Sequence, residues 1–474
     1  MKFKIVIIGI AWAFISISCL AQNRPNILVI LSDDMSWHHP GFNGGTVSTP
    51  NLDRLAEQGT SLSQFYVHSV CSPTRAAFLT GRYPFRNGME ERSHGNDVAG
   101  MLTDERTMAD ALKEAGYYTG IIGKWHLGNW YKQHLPLQRG FDYQYGLYGA
   151  LISYYGKTRA RFYDWHRNEQ TLQQDGYSTD LIADEFVKVM ESYEKEKPFF
   201  MYVPFNAVHS PLEAPEGIVQ KYKELIQGSS GNVTTYEFKN GDALRFAMLE
   251  SMDTAKGRMI DALEKKGVLE NTLVLYFNDN GGPRYNPPYR GGKKENYEGG
   301  VRVPCIFSWP GHIPEGKTVD AMIHVTDLYP TLINVSGGSL KQDLPLDGMD
   351  MWETLVKGKK SPRKEIVHSL PADFSDTGTK SIRQGPYKLV GDELYNIDKD
   401  PYETVDIANE KQEVMEALRR RIDELVAERR TPEVHTKITE IIPEPLLVFG
   451  EEENANAPEW LAPYLKTLMK STKK

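Results

Sequence analysis

Short continuous apolar stretches alternate along this chain with longer stretches whose apolar positions recur at helical spacing. Asn26-Ile27-Leu28-Val29-Ile30-Leu31 is uninterrupted, which suits a strand covered on both faces, and it ends in Ser32-Asp33-Asp34. Thr49-Pro50 then opens a helix running through Glu57, with proline at the first helical position and Gly59 just beyond. A second helix is predicted over 107–115, and a strand over 118–122 leads into Gly123-Lys124-Trp125-His126-Leu127-Gly128. A helix over 179–193 precedes a strand over 199–203, which runs into Asn206-Ala207-Val208-His209-Ser210-Pro211. The helix over 242–265 carries Leu244, Met248, Met252, Ala255, Met259 and Leu263 at helical spacing, and a strand over 271–277 ends in Asn278-Asp279-Asn280-Gly281-Gly282. This alternation predicts an α/β fold with a large central, mostly parallel sheet flanked by helices. Sites in such sheets lie beyond the carboxyl ends of the strands, and the polar motifs fall there.

After Asp347 the texture changes. Lys357-Gly358-Lys359-Lys360-Ser361-Pro362-Arg363-Lys364 reads as a polar linker. Short strands over 365–369, 381–383 and 387–390 follow, then an amphipathic helix over 411–429. The expected division is an export segment at 1–21, a large domain at 22–360 and a small α+β domain at 361–474. No internal repeat or low-complexity tract is present. A length of 474 residues fits two or three domains, or one large and one small.

The first 21 residues belong to targeting. Lys2 and Lys4 precede an apolar run from Ile5 to Ile17, and Cys19-Leu20-Ala21 offers small residues for signal peptidase. The run is short of the ~20 residues of a spanning helix. Cleavage after Ala21 and release to the periplasm or medium is the expectation. Lipidation at Cys19 is the less favoured alternative, because Ser16 stands where an aliphatic is usual.

Apolar content of 40% and charge density of 25% exclude disorder and fibrous repeats. The net charge of −8 argues against non-specific nucleic-acid binding, which needs a basic face. With Cys19 removed, Cys71 and Cys305 remain, too few for a disulfide framework. Cys305, within Val303-Pro304-Cys305-Ile306-Phe307, reads as a small hydrophobe in a buried strand. Cys71 opens Cys71-Ser72-Pro73-Thr74-Arg75, at the start of a short helix. There it is either a small buried thiol or, with the helix N-terminus and Arg75 nearby, a nucleophile of low pKa.

Cys-x-Pro-x-Arg followed by Leu79-Thr80-Gly81-Arg82 resembles the signature of the type I, formylglycine-dependent sulfatases of the alkaline-phosphatase-like superfamily. The resemblance takes in Asp33-Asp34, Gly123 to Gly128, His209-Ser210-Pro211, Asp279-Asn280-Gly281-Gly282, and Gly291-Gly292-Lys293 before Tyr297-Glu298-Gly299-Gly300. It covers nearly the whole chain after the export segment. The stretch from Gly123 to Tyr145 looks closest to the arylsulfatase B branch. One departure is Thr74, where many members have Ser.

The resemblance implies that a maturation enzyme oxidises Cys71 to formylglycine, whose hydrate is the nucleophile. Arg75 would orient the hydrate, and Lys124 and Lys293 would place positive charge on sulfate oxygens. His209 would protonate the leaving alcohol and His126 would help remove the second hydroxyl's proton. Asp33, Asp34, Asp279 and Asn280, with modified Cys71, would hold one cation. An all-oxygen set from protein side chains favours Ca²⁺ over Mg²⁺. Taken singly, Asp33-Asp34 and Asp279-Asn280-Gly281 could be turns. His38, His39, His134, His312 and His324 read as structural.

The substrate implied is a sulfated oligo- or polysaccharide. The arylsulfatase B likeness suits N-acetylgalactosamine 4-sulfate, and algal polymers such as ulvan or carrageenan are equally compatible. Lys157 to Arg167 mixes cations with aromatics, so Arg159, Arg161, Trp165 and His166 are candidate sugar contacts, as are His94 and Arg284. That segment also reads as a solvated loop. Two alternatives stay open: a phosphodiesterase or phosphonate monoester hydrolase of the same superfamily, and a catalytically dead carbohydrate-binding protein.

Overall fold

The computed structural model describes residues 24–45, 47–90, 100–129, 132–159, 162–228, 242–283, 286–371 and 379–430. The export segment, Cys19, His94, Arg161, Arg284 and residues 431–474 lie outside the described residues. No helix among those described is long and apolar enough to cross a membrane.

A ten-stranded sheet forms the centre of the α/β fold. Its order from edge to edge is 317–319, 60–62, 305–308, 272–278, 26–32, 199–204, 118–124, 143–147, 166–167 and 170–171. The five strands from 272–278 to 143–147 are parallel. The 305–308 strand and the pair at 166–171 run antiparallel to their neighbours, so the sheet is mixed at its edges.

The Asn26–Ser32 strand shows why the centre is parallel. Ile27, Val29 and Leu31 enter the core on one face, Leu28 and Ile30 the core on the other, and all five are 0–1% exposed. Each such side chain contributes roughly 1.5–3 kcal/mol of burial, and only a sheet covered on both faces collects it twice. The helices Cys71–Thr80, Met108–Glu114 and Leu328–Val335 cover the first face. Pro50–Glu57, Ser178–Ser192, Glu216–Gly228 and Asp242–Lys266 cover the second. Helix ends are closed locally or by neighbours. Thr107 and Asp110 form a reciprocal capping box. The Asp253 carboxylate accepts from the N–H groups of Asn51 (3.0 Å) and Leu52 (2.9 Å), answering the open end of the Pro50–Glu57 helix.

The C-terminal part is an antiparallel sheet of Glu365–Ser369, Ser381–Gln384, Tyr387–Val390 and Glu393–Asn396, covered by the Gln412–Val426 helix. Its core takes in Tyr83 and Phe85 from the large domain. The Glu216–Gly228 helix and the Glu393–Asn396 strand have no counterpart in the sequence reading; the latter is too short to show a period against its flanking loops.

Candidate active site

Four adjacent parallel strands deliver the site. Ser32 pairs with Asn278 in register, so Asp33-Asp34 and Asp279-Asn280 leave the sheet side by side. The Asp279 N–H donates to the Ser32 carbonyl (3.1 Å). On the other side of the Asn26–Ser32 strand, the 199–204 strand runs into Asn206–His209. The Asp33 N–H donates to the Ala207 carbonyl (2.8 Å) there, and the Val208 N–H returns a bond to Asp33 (2.6 Å). Lys124 is the last residue of the next strand. Asp34 and His126 both have left-handed backbones, at φ 59° and 62°. Such conformations cost free energy in non-glycine residues and concentrate at functional sites.

Cys71 is the first residue of the Cys71–Thr80 helix, whose every residue is buried. Val70 caps it without a side-chain bond, so the helix N-terminus offers N–H groups and positive dipole to an anion. The Cys71 thiol lies 3.4 Å from Asp33 Oδ1 and 3.3 Å from Asn280 Oδ1. Arg75, one turn on and 0% exposed, donates to Asp279 Oδ2 (2.8 Å), Asp33 Oδ2 (3.3 Å) and the Lys124 carbonyl (2.9 Å). The Lys124 ammonium bonds Asp33. Lys293 Nζ reaches both oxygens of Asp34, at 2.6 and 2.8 Å. Asn280 Nδ2 donates to Asp34 Oδ1 (2.8 Å), and His209 Nε2 stands 3.7 Å from Asp34 Oδ2.

These contacts set the ionisation. Burial alone would raise the Asp33 carboxyl, but Lys124, His209 and Arg75 outweigh it and hold it below the usual range. Asp34 is also buried, and Lys293 and His209 hold it well below that range. Burial and the Asp33 charge push Asp279 up to about 6, against Arg75 and Lys124. Burial lowers His209, partly offset by Asp34 and Asp33. Burial, with Asp279 and Asp33 behind it, drives the Cys71 thiol well above its ordinary value. Of the two readings of Cys71 at the helix start, burial and the neighbouring carboxylates favour the small buried thiol over the low-pKa nucleophile. The side chain is held as a neutral thiol.

Asp33, Asp34, Cys71 and His209 each offer a ligand atom within 4.8 Å of the others, a group able to hold a metal ion. Asp279 and Asn280 adjoin it through the bonds above. Lys293 and His209 keep 14% of their side-chain surface exposed while Arg75, Lys124 and Asp33 keep none, so the cluster opens on the Lys293 and His209 side.

The substrate candidates divide. Trp165 is 0% exposed and stands edge-on to Tyr145 at 5.1 Å, and His166 is 0% exposed and stacked on Tyr148 at 4.3 Å. Neither can present a face to a sugar, a correction to the sequence reading. Arg159 is half-buried in a short hairpin pairing Thr158–Arg159 with Phe162–Tyr163. Sequence reasoning missed Tyr154, whose buried hydroxyl sits 2.7 and 2.8 Å from the Asn206 and His209 carbonyls and fixes the histidine loop. No local motif surrounds it. Only the fold brings it there.

The family model described as Sulfatase matches residues 25–338, two thirds of the chain, and spans every residue of this cluster. This chain belongs to the sulfatase family. A second family model, N-sulphoglucosamine sulphohydrolase, C-terminal, matches residues 292–428. Among relatives of this chain, mouse arylsulfatase J is 32% identical over 376 residues, covering 77% of this chain and 61% of its own length. Human N-acetylgalactosamine-6-sulfatase is 31% identical over 373 residues, covering 72% and 68%. This chain thus spans about three fifths to two thirds of these relatives. The crystal structure of Ps i-CgsB superposes at a TM-score of 0.78 with 30% identity, covering 86% of this chain and 94% of that one. The same protein has been solved in complex with k-i-k-neocarrahexaose.

Proposed function

We propose that this protein hydrolyses sulfate esters of a sulfated saccharide, with Cys71 oxidised to formylglycine and one Ca²⁺ held in the carboxylate cluster. The observation that carries the reading is the convergence of Cys71, three carboxylates and three cations at the ends of four adjacent strands. The donor set fits a hard cation: Asp33, Asp34, Asp279 and Asn280 offer oxygen, and cooperating carboxylates stay ionised in the buried site. When bound, the ion adds positive charge where sulfate oxygens gather. Formylglycine replaces an inert, high-pKa thiol with an aldehyde whose hydrate is an oxygen nucleophile.

The chain's own residues do the rest. Arg75, fixed by Asp33 and Asp279, orients the group at position 71. Lys124 and Lys293 exchange carboxylate for sulfate oxygens and stabilise charge as it develops. His209 Nδ1 lies 2.6 Å from the Ser210 carbonyl, which assigns the N–H to that nitrogen. Nε2 is then the atom that takes and gives a proton; burial lowers the imidazole's pKa and Asp34 offsets this in part. His126 is assigned the second hydroxyl's proton. A saccharide substrate is supported by the names of the relatives and by the neocarrahexaose complex of Ps i-CgsB.

Mass spectrometry of the Cys71 peptide from active enzyme should show formylglycine, and a fully active sample holding only thiol would overturn the nucleophile. Release of sulfate from a panel of defined sulfated oligosaccharides should identify the substrate. Faster cleavage of the phosphate ester of the same alcohol would reassign the reaction.

A further inference from the structure

Behind the cation ligands, on the face of the sheet opposite the Cys71 helix, lies a buried polar chain that the chemistry above does not use. Lys256, in the Asp242–Lys266 helix, is 2% exposed, and its Nζ donates to Ser32 Oγ at 3.0 Å. It also stands 4.4 Å over the Tyr276 ring. Ser32 Oγ is 3.1 Å from the Tyr276 hydroxyl, which donates to Asn278 Oδ1 (2.9 Å). Asn278 Nδ2 in turn donates to the Met35 carbonyl (2.8 Å). With the tyrosine proton on Asn278, the chain runs in one donor direction, amine to serine, serine to tyrosine, tyrosine to amide, amide to backbone, while Ser32 and Tyr276 also reach the sulfurs of Met252 (3.5 Å) and Met35 (3.6 Å). Ser32, Tyr276 and Asn278 are all 0% exposed.

A buried ammonium is costly unless paired, and burial brings Lys256 down to about 7 against the pull of Asp253. Asp253, the acid that acts on Lys256, already serves the Asn51 and Leu52 N–H groups. What Lys256 holds instead is one end of this chain. The other end grips the residue after Asp34, and the links between are the residues just before Asp33 and Asp279. The loops carrying the ligands are thus pinned from behind at Ser32, Met35 and Asn278. Groups behind metal ligands fix their orientation, and their loss typically costs 10–100-fold in affinity.

We infer that Lys256, Ser32, Tyr276 and Asn278 form a hydrogen-bonded staple that positions the cation ligands, Lys256 acting as a positioning residue; the inference rests on the cation reading above. The test uses the matured full chain. Tyr276→Phe removes one hydroxyl from the middle of the staple with little change of shape, and Lys256→Met removes its anchor. Each should lower Ca²⁺ affinity by calorimetry about tenfold. Each should lower kcat about tenfold with KM within threefold, and the double variant should lose little more than either single one. In cation-free protein, amide exchange at residues 33–36 and 279–281 should quicken about tenfold. Ca²⁺ affinity and exchange within twofold of the parent in Tyr276→Phe would overturn the staple, even if Lys256→Met fails to fold. A parent that binds no Ca²⁺ would sink the cation reading separately, and the exchange rates would still decide the staple.

Discussion

At the seam between the large domain and the C-terminal sheet, Glu298 accepts from Tyr66 (2.8 Å), Arg302 (3.3 Å) and Lys388 (2.8 Å). Lys388 also pairs with Glu403 (2.9 Å), and Glu403 takes the Glu298 N–H (2.6 Å). Next to them His68, His324 and His368 are buried, the first two with rings 5.0 Å apart. The candidate site is equally buried and holds comparable charges, yet its groups serve a different end. Seam charges answer one another within the protein. Burial is outweighed by Lys388, Arg302 and Arg383 at Glu298, which falls to about 2. Burial and the Glu298 charge push Glu403 up to about 7. At the site, Asp33, Asp34 and Asp279 face Arg75, Lys124 and Lys293, and two of those cations sit on the oxygens a metal would take. On the reading proposed above, these pairs would open to a cation and a sulfate. A seam needs closed pairs; a site needs exchangeable ones.

This contrast can be broken by substitution. Cys71→Ala should lower sulfate release at least ~10⁴-fold, the order seen when a nucleophile is removed. Melting temperature should barely move, because the thiol makes no strong pair. Lys293→Ala should cost about 10²–10³-fold in kcat, the size of one lost electrostatic stabiliser, while the protein stays folded. Lys388→Met should do the reverse. It leaves Glu403 buried without its cation and Glu298 with Arg302 and Tyr66 alone, and should destabilise by about 3–5 kcal/mol in urea titrations, with kcat of the folded fraction retained.

The histidines sharpen the comparison through pH. Burial holds His68 at about 4, slightly offset by the His368 carbonyl bond, and drives His324 and His368 well below their ordinary value. A lowered histidine is neutral in the folded protein but binds a proton once unfolded. Stability is then full above pH ~6.5 and falls as pH drops toward 4, by about 3 kcal/mol for His68 alone. Urea midpoints measured across that window should show the fall, and His68→Asn should make it shallower by the His68 share while the part due to His324 and His368 remains. The smallest expected effect concerns the discarded sugar contact. Trp165→Phe should lower stability by about 1–2 kcal/mol through lost packing while leaving KM for a sulfated oligosaccharide within twofold. A tenfold rise in KM would restore Trp165 to the substrate site.

Much of the fold was legible because its central strands are apolar on both faces and end in polar motifs. Asn26–Ser32 and Thr272–Asn278 announced themselves by unbroken runs. The three-residue strand Thr60–Leu62 and the late strand Glu393–Asn396 did not, because so few residues show no period. The Trp165 and His166 error has the same root. An aromatic beside arginines reads alike on a surface loop and in a core, and only packing against Tyr145 and Tyr148 tells them apart.

What the amino-acid sequence determined by itself is the chemistry available: which strand ends carry carboxylates, which loops carry lysine and histidine, and which cysteine opens a helix. These are local properties, readable because spacing and turn chemistry act over a few residues. The tertiary structure decided which of those groups share a charge. Asp33 meets Cys71, Lys124 and Asp279 across separations of 38, 91 and 246 residues, and burial together with their mutual fields pushes the thiol up and holds Asp33 and Asp34 below the usual carboxylate range. Coulombic coupling follows distance in space, and the parallel register of Ser32 with Asn278 sets that distance.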